Sequence, residues 1–390
     1  MLNYKTKNSR PILVTGGHMT PALSVIAELK KRGYTNFVWV GHKYNQQKNE
    51  SFSPEYRTVT LQKIPFVELK TGKIIRSFGL KDIPYVLYQL ILIPFGVLRS
   101  IYIIFKYNPQ LVLSFGSYLA VPIVICAKIK GIKVVTHEQT IVSGLANRLI
   151  GKFADKVLIS WDTSFKYFSK KKTQLTGNPI RKEILSSKSD TLTKNFDKRL
   201  PTLLIYGGNQ GSHIINKVIL DSLQELLQKY NILHQTGNSS VTGDFNMAQD
   251  IKKRLPILIQ DRYIPKDYIL PDEVGEALNK SDIIIGRAGA NSITEYLALG
   301  KISILIPIPW SSNNEQMKNA RLMKSTGLGE IIEQKDFSYK SLIETLKKTT
   351  DILNSNTDFF GKPIEESIAY GKSLINLNAH NDIADVVESY

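Results

Sequence analysis

Apolar residues along this chain come in short β-branched runs, most of them followed by a stretch with helical spacing. Ile12-Leu13-Val14 precedes a helix predicted from Thr20 to Arg32, and further strands are predicted at Phe37 to Val40, Leu111 to Ser114, Lys133 to Thr136 and Lys156 to Ile159. Strand followed by helix, repeated, predicts an α/β fold with a doubly wound parallel sheet. From Ser186 to Arg199 the residues turn to Ser, Lys, Asp and Thr, as in an exposed linker. The alternation then restarts, with strands predicted at Thr202 to Tyr206, Ile232 to His234, Ile257 to Gln260, Asp282 to Ile285 and Ser303 to Ile306, and a helix near Ser212 to Lys229. Two Rossmann-like domains are therefore expected, at residues 1–185 and 200–361, followed by a helical stretch from Lys362 to Tyr390. The halves resemble each other in architecture and not in sequence.

One segment breaks the pattern. Ile83 to Phe105 carries a single charge, Arg99, and runs to about 23 residues, the length of a membrane span. Pro84, Pro94 and Gly96 interrupt it, and spanning would put the strand at Ile12 and the one at Leu111 on opposite sides of a bilayer. A buried crossover helix would show one polar face, yet Tyr85, Leu87, Ile91, Ile93, Phe95 and Val97 leave little room for one. With Lys70, Lys73, Arg76 and Lys81 just upstream, the segment reads as an interfacial patch, with Ile91 and Phe95 pressed into an anionic leaflet. A protein partner or plain core are the alternatives.

Composition narrows the class. At 390 residues the chain exceeds one ordinary domain, and 42% hydrophobic with 22% charged residues is ordinary globular composition. The net charge of +17 calls for an anionic partner. No zinc-knuckle, helix-turn-helix or ribonucleoprotein motif accompanies it, so nucleic acid is not the expected one. Cys126 stands alone, which forbids an internal disulfide and suggests a buried thiol in a reducing compartment. Residues 1–10 are polar and lack the apolar core of a secretory signal, so export is not expected. The runs Lys30-Lys31-Arg32 and Lys170-Lys171-Lys172 read as solvated faces.

Two glycine turns carry candidate chemistry. Thr15-Gly16-Gly17-His18 joins the first strand to its helix, where backbone amides could approach an anion, although a tight turn needs glycine anyway. Gly207-Gly208-Asn209-Gln210-Gly211 follows a strand in the second half. Its three glycines favour ligand approach, and its amides with the helix dipole could hold a diphosphate without a metal. Glu295, in the loop-to-helix segment Gly289 to Glu295, could accept both hydroxyls of a ribose or could be a solvated helix-face carboxylate.

These turns, with His137-Glu138-Gln139, Gly177-Asn178-Pro179-Ile180-Arg181 and Arg287-Ala288-Gly289-Ala290 through Glu295, occur in an order that resembles the MurG family, from about Pro11 to Gly329. That family adds N-acetylglucosamine to lipid I in peptidoglycan synthesis. The resemblance implies a GT-B fold, with a lipid acceptor bound mainly by the N-terminal half, a UDP-sugar by the C-terminal half, the active site in the cleft between, and the final stretch from Lys362 to Tyr390 packing back across both halves. On the acceptor side it marks Thr15, Gly16, Gly17, His18, Tyr118, His137, Glu138 and Thr140. On the donor side it marks Arg181, Gly208, Asn209, Gln210, Gly211, Ile264, Ala290, Asn291, Glu295, Glu315 and Gln316. The chain departs from the family where Thr140 replaces Asn, Glu315 replaces Gln, Asn209 replaces Ser, and Leu13-Val14 replaces a Gly-Gly pair.

The implied reaction is inverting: an acceptor hydroxyl attacks in line as UDP departs. His18 is the first candidate for the base, since imidazole titrates near neutral pH, with capping of the glycine turn as its other reading. Glu138 is the second candidate, or else orients His18 or organises the loop after its strand. The turn at Gly207 to Gly211 and the planar fork of Arg181 would stabilise the leaving diphosphate. No closely spaced acidic pair suggests a bound divalent ion, so no cofactor or metal is expected. The expected partners are a UDP-sugar, a polyprenyl-pyrophosphate acceptor and an anionic membrane surface, at the cytoplasmic face as a peripheral protein. A related transferase with another sugar or acceptor, and a non-catalytic membrane-recruiting partner of the same fold, are the alternatives; a UDP-sugar epimerase would have no use for an apolar basic surface.

Overall fold

The computed structural model describes residues 10–44, 52–75, 79–186, 189–208, 210–239 and 241–390. The chain forms two compact units, residues 1–180 with 376–390, and residues 181–375.

In chain order the first unit contains β1 (Ile12–Thr15), α1 (Met19–Lys31), β2 (Phe37–Gly41), α2 (Pro54–Leu61), β3 (Phe66–Glu68), α3 (Ile83–Tyr107), β4 (Leu111–Ser114), α4 (Ala120–Ile129), β5 (Lys133–Glu138), α5 (Leu145–Phe153), β6 (Lys156–Ile159) and β7 (Thr173–Leu175). The second contains α6 (Lys182–Ser186), β8 (Thr202–Tyr206), α7 (His213–Asp221), α8 (Leu223–Leu226), β9 (Asn231–Gln235), α9 (Asp244–Arg254), α10 (Ile257–Gln260), β10 (Tyr263–Lys266), α11 (Val274–Lys280), β11 (Ile283–Gly286), α12 (Ala290–Leu299), β12 (Ile302–Leu305), α13 (Glu315–Ser325), β13 (Gly329–Ile331), α14 (Tyr339–Ser355) and α15 (Ile364–Ser373). The last helix, α16 (Ala379–Glu388), returns to the first unit.

Both sheets are parallel, ordered β3-β2-β1-β4-β5-β6-β7 and β10-β9-β8-β11-β12-β13. Helices cover both faces of such sheets, which is why β1, β4 and β12 are buried along their whole length and apolar at nearly every position. In each sheet the first strand of the unit lies at the point where the strand order reverses: β1 between β2 and β4, and β8 between β9 and β11. Ligands of open α/β sheets bind beyond the carboxyl ends of the strands at that point, and there each glycine turn begins.

Two expectations need correction. Ile257 to Gln260 is one helical turn and not a strand: Pro256 starts the turn, and Ile257 and Leu258 are 87% and 90% exposed, so no sheet face receives them. The strand is the next run, β10. The division between units falls at Ile180/Arg181, ahead of the polar linker. The final stretch from Lys362 is split, with α15 packing on α12 in the second unit and α16 on α1 in the first. There Arg32 Nη1 donates to Asp385 and Glu388 at 2.5 and 2.8 Å, while Ile383, Ala384 and Val387 enter the core. The short edge strands β3, β7 and β13 escaped sequence analysis because three residues display no periodicity.

By length and composition alone, the helix containing α3 could cross a membrane. Its flanking topology forbids it: β4, directly after α3, pairs with β1 in register from Ile12–Leu111 to Thr15–Ser114, so both ends of the helix serve one sheet. Only Val86, Gly96, Ser100, Ile103 and Ile104 of α3 are buried. An added Cβ on Gly96 would lie 2.1 Å from Thr71 Oγ1, so glycine admits the crossing segment there. Ile91 and Phe95 are 60% and 62% exposed. Lys70, Lys73 and Lys81 are exposed nearby in sequence; Arg76 lies outside the described residues.

Candidate active site

In the first unit the turn after β1 is pinned from both sides. Gly16 N–H donates to Val40 O at 2.8 Å, and Gly17, with φ +143°, packs so tightly against the turn after β4 that a Cβ would come within 3.0 Å of Gly116 O. Thr15 is fully buried and its hydroxyl has no partner among the described residues.

His18 follows as the cap residue of α1, half-buried, and its side chain makes no capping hydrogen bond. The capping role is therefore not the one it plays. Burial pushes its imidazole below the ordinary value, and the charge of Glu138 opposes that shift. A neutral imidazole near a carboxylate is a proton acceptor at neutral pH.

Glu138 and His137 end β5 and face opposite sides of the sheet. Glu138 Oε1 accepts from the Thr140 N–H and hydroxyl at 3.0 and 2.7 Å, and Oε2 accepts from Asn147 Nδ2 at 3.0 Å. The carboxylate is 2% exposed. So held, Glu138 organises the loop after β5 and sets the field at His18. The His137 ring is wholly internal, with Nε2–H donating to Gly177 O and Nδ1 accepting from Gln139 Nε2, both at 2.9 Å. Burial drives it down to about 4, so it is neutral. It fixes the turn at Gly177 and presents no atom to an acceptor. Tyr118 is half-buried, its hydroxyl 2.9 Å from His42 Nε2.

In the second unit Gly208 and Gly211 adopt φ of +87° and +73°, and Gly211 N–H closes the turn onto Gly208 O at 2.9 Å. An added Cβ on Gly211 would sit 1.9 Å from Thr236 O, so no larger residue fits there. Gly211 thus commits its amide to the turn, and the amides at the start of α7 have no partner within the helix. Asn209 lies outside the described residues, and Gln210 is exposed.

The residue beneath this turn stands in a quoted motif but was given no role from the sequence. Arg287, 8% exposed, donates through Nη2 to Ser212 Oγ and Gln334 Oε1, both at 2.8 Å, and through Nη1 to Ile306 O at 2.9 Å. All three acceptors are neutral, and burial lowers the guanidinium to about 10. A cation with no carboxylate partner among the described residues is thus buried at the start of α7. Its signal was an arginine following an unbroken Ile-Ile-Ile-Gly strand, where a buried position is expected to be apolar.

Arg181 and Glu295 are joined: Nη2 lies 3.1 Å from Oε1, with the side chains 18% and 6% exposed. Burial raises the Glu295 carboxyl and Arg181 opposes the shift. Glu295 is therefore no solvated helix face. Ala290 is buried and Asn291 half-buried at the start of α12. Half-buried Glu315 and Gln316 open α13, with Gln316 Oε1 accepting from Ile308 N–H at 3.1 Å. Ile264 is half-buried on edge strand β10.

Residues 15–159 match the glycosyltransferase family 28 N-terminal domain, and residues 202–359 match its C-terminal domain. A Clostridium kluyveri protein is 34% identical over 348 residues, covering 87% of this chain and 91% of the relative. One from Clostridium tetani is 31% identical over 383 residues, covering 96% of each. Both are named "UDP-N-acetylglucosamine--N-acetylmuramyl-(pentapeptide) pyrophosphoryl-undecaprenol N-acetylglucosamine transferase". The chain belongs to the MurG family. The crystal structure of Acinetobacter baumannii MurG shares the fold, with a TM-score of 0.63 at 21% identity over 98% of this chain and all of that one. Membership of the MurG family makes the chain a glycosyltransferase with two Rossmann-like halves.

Within this MurG-family frame, the departure at Thr140 acquires a reason. Its hydroxyl turns inward to Glu138 and the residue is 5% exposed, so it contributes to the loop and offers nothing to a sugar. Glu315 Oε1 lies 3.4 Å from Asn319 Nδ2, which also donates to Ala288 O at 2.9 Å. That asparagine ties the start of α13 to the loop before α12.

Proposed function

We propose that this chain transfers N-acetylglucosamine from UDP-N-acetylglucosamine to the muramyl sugar of a pyrophosphoryl-undecaprenol acceptor, with inversion. The observation that carries the reading is the coincidence, in each unit, of a glycine turn with the strand at which the sheet order reverses, in a chain whose relatives bear that transferase name. The acceptor hydroxyl attacks the anomeric carbon, the bond from that carbon to the diphosphate oxygen breaks, and the hydroxyl proton passes to His18. The diphosphate takes up the bonding electrons, stabilised by the amides of the second turn, the N-terminus of α12 and the guanidinium of Arg181. Glu295 accepts the ribose hydroxyls after exchanging its bond with Arg181. No metal takes part in this sequence of steps.

The polyprenyl chain brings the enzyme to a bilayer. The exposed face of α3, with Ile91, Phe95 and the lysines upstream, supports peripheral attachment to an anionic cytoplasmic leaflet.

Purified protein offered a panel of UDP-sugars with polyprenyl-pyrophosphate acceptors tests the reading. Turnover of UDP-N-acetylglucosamine with lipid I is expected, and no turnover of that pair would overturn it. Glu315 motivates a second reading, a transferase of the same family with a different donor sugar, which predicts turnover of another UDP-sugar in the same panel. Binding of UDP-N-acetylglucosamine without UDP release under every condition would instead mark a non-catalytic partner.

A further inference from the structure

The first glycine turn is backed by a carboxylate that the proposed reaction does not use. Glu55 sits in the first turn of α2, and that helix start is stapled to the end of β2. Ser53 N–H donates to Lys43 O at 2.9 Å, Ser53 Oγ donates to His42 O at 2.5 Å, and Tyr56 N–H returns to Ser53 Oγ at 3.0 Å. This fixes Glu55 against the sheet. Its Oε1 accepts from the indole N–H of fully buried Trp39 at 2.9 Å, and its Oε2 accepts from His42 N–H at 3.2 Å. Among the described residues no lysine or arginine pairs with it.

Two glycines meet this carboxylate. A Cβ on Gly16 would fall 1.7 Å from Glu55 Oε1, and one on Gly41 would fall 2.7 Å from it. Gly16 has a negative-φ backbone that any residue can adopt, so its lack of a side chain answers to the space beside it, where a Cβ would overlap Glu55 and lie 3.2 Å from Trp39 Nε1. The consequence for ligands is electrostatic: a carboxylate on the β2 side of the turn repels phosphate from that side, so an acceptor pyrophosphate must approach from the side of Gly17 and His18. The restraint extends further, because His42, whose N–H holds Glu55, also holds the Tyr118 hydroxyl through Nε2 at 2.9 Å.

We propose that Glu55 is a positioning residue of the acceptor site, clamping the Gly16 turn to the end of β2 and, through His42, setting the Tyr118 hydroxyl. The proposal rests on the first unit being the acceptor-binding half. Glu55 does not touch substrate. Both of its oxygens are engaged by protein donors, and its role is to keep the loop that carries His18 in one conformation.

The test uses the full-length protein with Glu55→Gln, Glu55→Ala and His42→Phe. Each is assayed with lipid-linked acceptor and UDP-N-acetylglucosamine varied in turn, and by the indole N–H resonances of protein labelled with 15N-tryptophan. Glu55→Ala is expected to raise the acceptor KM about tenfold, the loss of roughly one hydrogen bond to a charged group, and to leave the donor KM within about twofold. Glu55→Gln, with the same volume but an amide that can satisfy only one of two facing donors, should give a smaller rise in the same direction. Both should displace the Trp39 indole resonance. His42→Phe should raise the acceptor KM without displacing it. If Glu55→Ala unfolds, Glu55→Gln carries the comparison. An unchanged acceptor KM in Glu55 variants whose Trp39 resonance has moved overturns the proposal while leaving the transferase reading intact. Wild-type protein without turnover overturns both.

Discussion

Arg181 Nη2 donates to Glu295 Oε1 at 3.1 Å, so two side chains expected to hold different parts of a nucleotide hold each other. Each neutralises a charge that would otherwise be costly to bury. In the proposed reaction, binding is an exchange in which the ribose hydroxyls take the carboxylate and phosphate oxygens take the guanidinium. Arg181→Ala or Glu295→Ala alone should destabilise the second unit by on the order of 3 kcal/mol, because the remaining charge is left without its partner. The double variant should lose markedly less than the sum. Urea unfolding of the four proteins checks this, and simple additivity would mean that the pair is energetically uncoupled.

His18→Ala should leave UDP-sugar affinity within about twofold and slow transfer by roughly 10²-fold or more, the usual contribution of a positioned base. The pH profile adds a second check. The base must be neutral, and the His18 imidazole lies below its ordinary value, so the acid limb of kcat/KM should fall below the usual histidine range, with activity on a plateau at pH 7. That limb should vanish in His18→Ala.

Arg287→Met removes a buried cation whose partners among the described residues are all neutral, while keeping much of its volume. Folding stability should change little, because a desolvated charge is exchanged for apolar contact. UDP should nonetheless bind about tenfold more weakly by calorimetry, since Ser212 loses its anchor and the turn loses the charge beneath it. Unchanged UDP affinity would confine Arg287 to packing.

Acid stability should report two internal histidines. His137 is held down to about 4 and His234 to about 3, burial being the first cause in each, so both are neutral in the folded chain. The unfolded chain binds these protons below about pH 6.5, which makes the folded state progressively less stable as pH falls from there toward 4. The two groups contribute a slope of up to about 1.4 kcal/mol per pH unit each. Denaturant titrations across that range should show the slope, and His234→Asn should flatten it.

Replacing Ile91 and Phe95 by Asp should weaken association with vesicles containing anionic lipid while sparing turnover of a short-chain soluble acceptor. Both residues are more than half exposed, so the core has little to lose. Equal loss on both acceptors would point to damage in the helix itself.

By itself, the sequence determined the type of most of the longer elements, the presence of two α/β halves and the family. Strand runs such as Ile12-Leu13-Val14 and Ile283-Ile284-Ile285 are buried on both faces, and their composition announces it without any partner being known. The glycine turns were legible for the same reason, since backbone conformation is a local property. Tertiary structure alone decided which strands stand at the reversal of each sheet and that Ile257 to Gln260 is a helical turn. It also decided that His137 faces inward, that Thr140 turns to Glu138, that Arg181 meets Glu295, and that a carboxylate from α2 backs Gly16. Each of these depends on an atom brought from many residues away, by sheet order or helix packing, and a linear pattern carries no record of that distance.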